Sequence, residues 1–108
     1  MKNKVQLIGH VGQDPEIKNF DGGKKLANFS IATNEVFYKE NGDKTEKTEW
    51  HRVSAWGKLA EIIENYVTKG KEIAIQGKLT HRSYEDKDGQ KRYVTEVVAN
   101  EMLLIGKN

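Results

Sequence analysis

"TEWHRVSAWGKLAE", residues 48–61, is the stretch that decides the fold, and it holds both tryptophans of the chain, Trp50 and Trp56. In an extended strand alternate side chains point to opposite faces, so Trp50, Arg52, Ser54 and Trp56 share one side while His51, Val53 and Ala55 share the other. The small apolar residues thus collect on one face and the two large rings travel with a cation. A half-buried strand ordinarily does the reverse and turns its largest apolar groups inward. After Gly57 the period changes: Leu59, Ile62, Ile63, Tyr66 and Val67 recur at helical spacing between Gly57 and Gly70, with Lys69 near the negative end of the helix dipole. One amphipathic helix results, with Tyr66 on its core-facing stripe.

Upstream, Val5, Leu7, Gly9 and Val11 alternate with Lys4, Gln6 and His10 in a first strand, where Ile8 points to cover on both faces. "GQDPE" stops it at Pro15, the only proline of the chain. A hairpin-like turn at Asp21-Gly22-Gly23 leads into a second strand, in which Ala27, Phe29, Ile31 and Thr33 alternate with Asn28, Ser30, Ala32 and Asn34. "YKENGDKTEKTE", residues 38–49, carries Asn41-Gly42 at its tip and reads as a long solvated connection to the tryptophan strand. Downstream of the helix, "KEIAIQGKLTHRSY" alternates again, Asp88-Gly89 makes a turn, and "RYVTEVVANEMLLIG" supplies a last strand before Lys107 and Asn108. The order of three strands, one helix and two longer strands gives an all-β fold: a five-stranded barrel of the OB type with one α-helix between strands 3 and 4. A five-stranded α+β sheet is the alternative that patterns leave open.

A chain of 108 residues makes one domain, residues 1–108. Lys and Arg number 18 against 16 Asp and Glu, a net charge of +2, so attraction to a polyanion must come from where the charges sit. The absence of cysteine excludes disulfides and thiolate metal sites. The first residues hold too short an apolar run for a signal peptide and no segment reaches membrane-spanning length, so a cytoplasmic location is expected. Asn28-Phe29-Ser30 matches a glycosylation acceptor by coincidence on that reading.

The fourth strand repeats the inversion of the third. Ile73, Ile75, Gly77 and Leu79 point one way, and Gln76, Lys78, Thr80, Arg82 and Tyr84 the other. Phe37, just past the second strand, extends the same surface, with a bulge near Asn34 to Val36 leaving its direction open. The expected site is therefore Phe37, Trp50, Trp56 and Tyr84 interleaved with Arg52, Lys78 and Arg82. Two tryptophans on one strand ordinarily belong to a core or subunit interface, and Arg52 between them could simply lay its stem on apolar surface. The recurrence of ring plus cation on a second strand favours an uncovered surface. Single-stranded nucleic acid suits it, because unpaired bases stack on rings while the adjacent phosphates meet cations, at about 1–3 kcal/mol per stacked base. Stacking is indifferent to base identity, so little sequence preference is expected.

No catalytic or cofactor site is expected. His10, His51 and His81 are too dispersed for a metal centre. "GHVGQD" is not a dinucleotide fingerprint, and "DGGKK" lacks the spacing of a phosphate loop. The carboxylates lie in turns or on the helix, except Glu96, which has no visible partner.

"NKVQLIGHVGQDPE", "ANFSIATNE", "TEWHRVSAWGKLAE", "YVTKGKEIAIQGKL" and "YVTEVVANEMLLIG" together resemble, in order, the bacterial single-stranded DNA-binding proteins of replication, recombination and repair. The resemblance implies an OB fold, usually a homotetramer, that coats and protects single-stranded DNA without cofactor, metal or catalysis, in the cytoplasm with the nucleoid. Matched by position, Phe37, Trp50, Trp56 and Tyr84 are its stacking residues, and His51 stands near the subunit interface. Members often carry tryptophan at the positions of Phe37 and Tyr84 and phenylalanine at that of Trp56; each exchange keeps a π face. Members also continue into a flexible linker and a short acidic tip that recruits replication and repair proteins; these residues hold no such tip, so recruitment is not expected of them. Two other classes compete: an OB module of the primosome or RNA-binding kind using the same face, and a barrel nuclease, which would need clustered carboxylates and a metal.

Overall fold

Burial broadly follows the alternation along the core-facing strands, although Ala32 and Ser54 are covered on the opposite face as well. The structure, a computed structural model, describes residues 2–106, so Lys107 and Asn108 at the end of the chain lie outside the described residues. Six strands and one helix follow in order: β1 (Val5–Val11), β2 (Glu16–Phe20), β3 (Lys24–Tyr38), β4 (Lys44–Trp56), α1 (Lys58–Tyr66), β5 (Glu72–Glu85) and β6 (Lys91–Leu104). Five of them close a ring in the order β1-β5-β6-β4-β3, and β3 returns to β1 through His10↔Ala32 and Val11↔Ile31. Neighbours in the ring are antiparallel except β4 and β6, which meet in parallel only at Val53↔Val97 and Ser54↔Val98. This is the expected five-stranded OB barrel, with the helix between its third and fourth staves.

β1 serves two partners, lying along β5 from Val5 to His10 and turning to β3 at its end. Gly9 stands at that turn. A Cβ there would come within 2.1 Å of the Ala32 carbonyl oxygen, so only glycine allows the two backbones to approach. Inside the ring Val11, Phe29, Ile31, Val53, Ile73, Ile75 and Val97 form one buried cluster.

The helix closes one end of the barrel by burying Ala60, Ile63 and Val67. The expected core position of Tyr66 is corrected: it is 60% exposed, and Ile62 lies open beside it. The apolar stripe is wider than the contact. Small Ala60 lets the helix sit close, the row of residues 60, 63 and 67 takes the core, and the row of residues 62 and 66 is turned outward. Lys69 falls beyond the end of α1, where its backbone N–H donates to Asp14 Oδ1 at 2.8 Å. Lys25 on β3 makes an ion pair with Glu64 on the helix.

Two features differ from the sequence reading. β2 is a sixth strand, outside the ring and paired with β3 from Glu16↔Asn28 to Phe20↔Lys24. The long connection at residues 38–49 is also mostly ladder. Pairing of β3 with β4 runs without a break from Leu26↔Trp56 to Tyr38↔Lys44, and only residues 39–43 turn. Thr, Lys and Glu suffice there because both faces are wet: Thr48 donates to Asn34 Oδ1 at 2.8 Å, and Lys47 pairs with Glu49 at 3.0 Å. The β3–β4 and β5–β6 hairpins therefore extend as arms. The radius of gyration is 16.1 Å, against about 13 Å for a compact chain of this length.

Ile63 is completely buried at the helix–barrel contact. Ile63→Ala should lower unfolding free energy by about 2–5 kcal/mol in urea melts followed by circular dichroism, since it leaves a cavity under the barrel.

Candidate functional site

Register and burial together fix the indoles. Val53 and Ala55 are buried inside the ring, so Trp50 and Trp56, of opposite parity, must face outward; they are 61% and 48% exposed. Across β3 they stand opposite Ala32 and Leu26, and Arg52 between them stands opposite Ser30. Ser54, on the same side, is buried, and its hydroxyl donates to Asn28 Oδ1 at 3.0 Å.

β4 and β6 diverge beyond their two-residue pairing, and a groove opens between them. One wall is Trp50, His51 and Arg52 with Ser30; the other is Tyr84, Tyr93, Val94 and Thr95; the space between is about 390 Å³. A second groove of about 360 Å³ shares Ser30 and Arg52 with the first and continues past Gln13, Glu16, Asn28, Arg82 and Glu96. The two form one trough, aromatic at the Trp50 end and charged at the Arg82 end. Lys78 shares the side of Arg82 on β5 and is exposed.

Glu96, without a partner in the sequence reading, lies against Arg82, its Oε1 accepting from Nε at 3.4 Å, with its carboxylate largely covered. An anion arriving at Arg82 therefore meets a cation that already has a carboxylate beside it. Among the described residues Arg52 makes no such ion pair, and it lies at the overlap of the two grooves.

Phe37 lies elsewhere. The anticipated bulge near Asn34 to Val36 is absent, and unbroken pairing places Phe37 opposite Thr45, on the side of Thr33 and Glu35. It is exposed near the tip of the arm but on the face away from the indoles; Val36 and Tyr38 take the indole side. His51 also points away from the indoles, as its alternation requires, and its Nε2 lies 2.9 Å from Thr33 Oγ1.

Sequence reasoning missed three contributors. Tyr93, 75% exposed, lines the groove opposite Trp50 with Lys91 Nζ 5.6 Å from its ring centroid. Phe20 lies on β2, which apolar periodicity did not reveal, with its ring centroid 5.8 Å from that of Trp56. Gly12 lies under the Trp50 ring: a Cβ added there would fall 2.4 Å from Cζ3 and 2.9 Å from Ser30 Oγ. Its place in "GHVGQD" carries no periodic signal; only the packed indole exposes its role.

Charges elsewhere on the arms order the turns. At the β5–β6 turn Arg92 Nε donates to Asp86 Oδ2 at 2.8 Å, and the backbone N–H groups of Gln90 and Asp88 donate to Oδ1. The Arg92 hydrogen bond foremost, then the backbone donors, hold the Asp86 carboxyl below the usual carboxylate range. Glu49 raises Lys47 by hydrogen bond and charge. Among the described residues no three His, Asp or Glu side chains gather in a way that could hold a metal ion.

Gly12→Ala should push the Trp50 indole off its seat without disturbing the barrel. The expected result is a changed tryptophan emission spectrum at unchanged melting temperature, absent when the same change is made in a Trp50→Phe background.

The model of the single-strand binding protein family matches residues 2–105. A single-stranded DNA-binding protein of Chlorobaculum tepidum is 48% identical over 105 residues, covering 96% of this chain and 65% of the relative. One from Xylella fastidiosa is 46% identical over 106 residues, covering 97% of this chain and 78% of the relative. This chain thus spans about two thirds to three quarters of those relatives' length. Among solved structures, a Plasmodium falciparum SSB complex with ssDNA superposes with a TM-score of 0.89 at 34% identity, covering 96% of this chain and 95% of that one.

Proposed function

As this chain belongs to the single-strand binding protein family, we propose that it is a single domain that binds single-stranded DNA with little sequence preference, coating and protecting it in replication, recombination and repair. The observation that carries this reading is the pair of indoles held in water on one face of β4 with Arg52 between them. Exposed rings gain little from a duplex, whose bases already stack on one another, and much from a strand whose bases are free. The trough is open along its length and so admits a polymer, its aromatic end receiving bases and Arg52, Lys78 and Arg82 receiving phosphates. Tyr84 stacks from the opposite wall. Phe37, on the far side of its arm, contributes only where a strand wraps around the arm tip. No step of this role requires a cofactor, a metal or bond-breaking chemistry.

We assign the working assembly to a homotetramer. Ile8, 62% exposed, and the exposed Leu103 form an apolar strip on the outer face of β1, β5 and β6, beside a hydrogen bond from Gln6 Nε2 to Gln76 Oε1. Such a strip is what a second copy would cover. His51 is assigned to the neighbourhood of that assembly's interface on the family pattern. No helix among the described residues is long and apolar enough to cross a membrane, and the role proposed places the protein in the cytoplasm with the nucleoid.

Titration with oligo-dT should quench tryptophan emission, and an unchanged signal at low salt would refute the reading. Trp50→Ala and Trp56→Ala should each weaken binding by about 1–3 kcal/mol with the fold intact. If Arg52, Lys78 and Arg82 each meet one phosphate, the slope of log K against log salt should be about −2. Light scattering should return four times the 12.3 kDa chain mass; a monomer would overturn the assembly.

A further inference from the structure

The rings expected from the sequence belong to β3, β4 and β5, but β2 brings another. Its register sets Phe20 opposite Lys24 and Lys18 opposite Leu26, and Leu26 in turn stands opposite Trp56. Residues directly opposite in an antiparallel pair project to the same face. Lys18, Phe20 and Lys24 therefore lie on the face that carries Trp50, Arg52 and Trp56. The Phe20 and Trp56 planes are inclined by 30° with centroids 5.8 Å apart, and both rings are about half exposed.

Neither ring belongs to the buried core. Their offset leaves part of each π face open to solvent. On the same face Lys18 and Lys24 add positive charge, Lys18 sharing its own with Glu16 at 3.7 Å. The β2–β3 hairpin thus repeats, beyond Trp56, the combination of ring and cation found along β4.

We propose that Phe20 is a further base-stacking residue, and that the path of the single strand continues past Trp56 onto β2, with a nucleobase on the Phe20 ring and its phosphates beside Lys18 and Lys24. This rests on the single-strand reading of the face and extends it to a strand outside the barrel. The competing role for Phe20 is to shield one edge of the Trp56 indole, which needs bulk but no π face and touches no nucleotide.

Irradiation of the protein with an oligo-dT carrying 5-iodouracil separates the two roles. Tryptic cleavage after Lys18 and Lys24 releases residues 19–24, whose only aromatic residue is Phe20. An adduct is expected on this peptide as well as on those holding Trp50 and Trp56. Phe20→Leu keeps apolar bulk beside Trp56 and removes the ring; it should weaken oligo-dT binding at least about 5-fold, while Phe20→Tyr stays close to the unmodified protein. Adducts at Trp50 and Trp56 with none on residues 19–24, or full affinity in Phe20→Leu, overturn the proposal and leave the single-strand reading standing. Affinity lost in Phe20→Leu without an adduct on that peptide also overturns it, since shielding of Trp56 then accounts for the loss. No oligo-dT binding by the unmodified protein brings down the single-strand reading and this inference with it.

Discussion

Everything at the surface depends on one register. β3 and β4 pair from Leu26↔Trp56 to Tyr38↔Lys44 without a slip, and the same ladder that buries Phe29, Ile31, Val53 and Ala55 leaves Trp50, Arg52 and Trp56 in water. A displacement by one residue would exchange the faces, sending two indoles and a guanidinium toward an interior sized for valine and alanine. The core thus selects the outward face as strictly as it selects itself. The exposed rings are a consequence of tight packing on the other side of the sheet.

The electrostatics are local and restrained. Near-equal numbers of cations and carboxylates give no strong overall field, and Glu96 already attends Arg82. An incoming phosphate at that position exchanges one anion for another, which returns less free energy than meeting a bare cation. Arg52, between the rings, is the cation placed to gain most. Aromatic contact rather than charge therefore carries most of the attraction such a face can offer, which is the physical ground for the low sequence preference proposed above.

How much of this was legible follows from what alternation records, which is burial on one side only. β5 and the part of β4 from Trp50 onward are legible in the sequence because Val53, Ala55, Ile73 and Ile75 mark an inner face against polar or aromatic neighbours. β2 was missed because only Ile17 of its five residues is even half-buried. The outer ladder between residues 38 and 49 was missed for the same reason: wet on both faces, it needs backbone hydrogen bonds and cross-strand polar pairs but no apolar period. Phe37 is grouped with the indoles in the sequence while an expected bulge leaves its direction open; no bulge forms, and the unbroken ladder turns it to the other side. Tyr66 was placed inside because a helical stripe gives the width of an apolar face, not the width of its contact. Gly12 could be understood only once Trp50 had a position.

The parallel seam between β4 and β6 is only two residue pairs long. Above it the staves part, and the trough is the gap they leave. β1 and β3 also meet through only two pairs, so the cavity that could hold a ligand lies at one of the two shortest seams of the barrel, walled on one side by β4 and on the other by the β5–β6 hairpin. A polymer seated there would touch both walls at once and act as a brace across a joint that the backbone fastens by only two rungs, so occupancy would stiffen that seam.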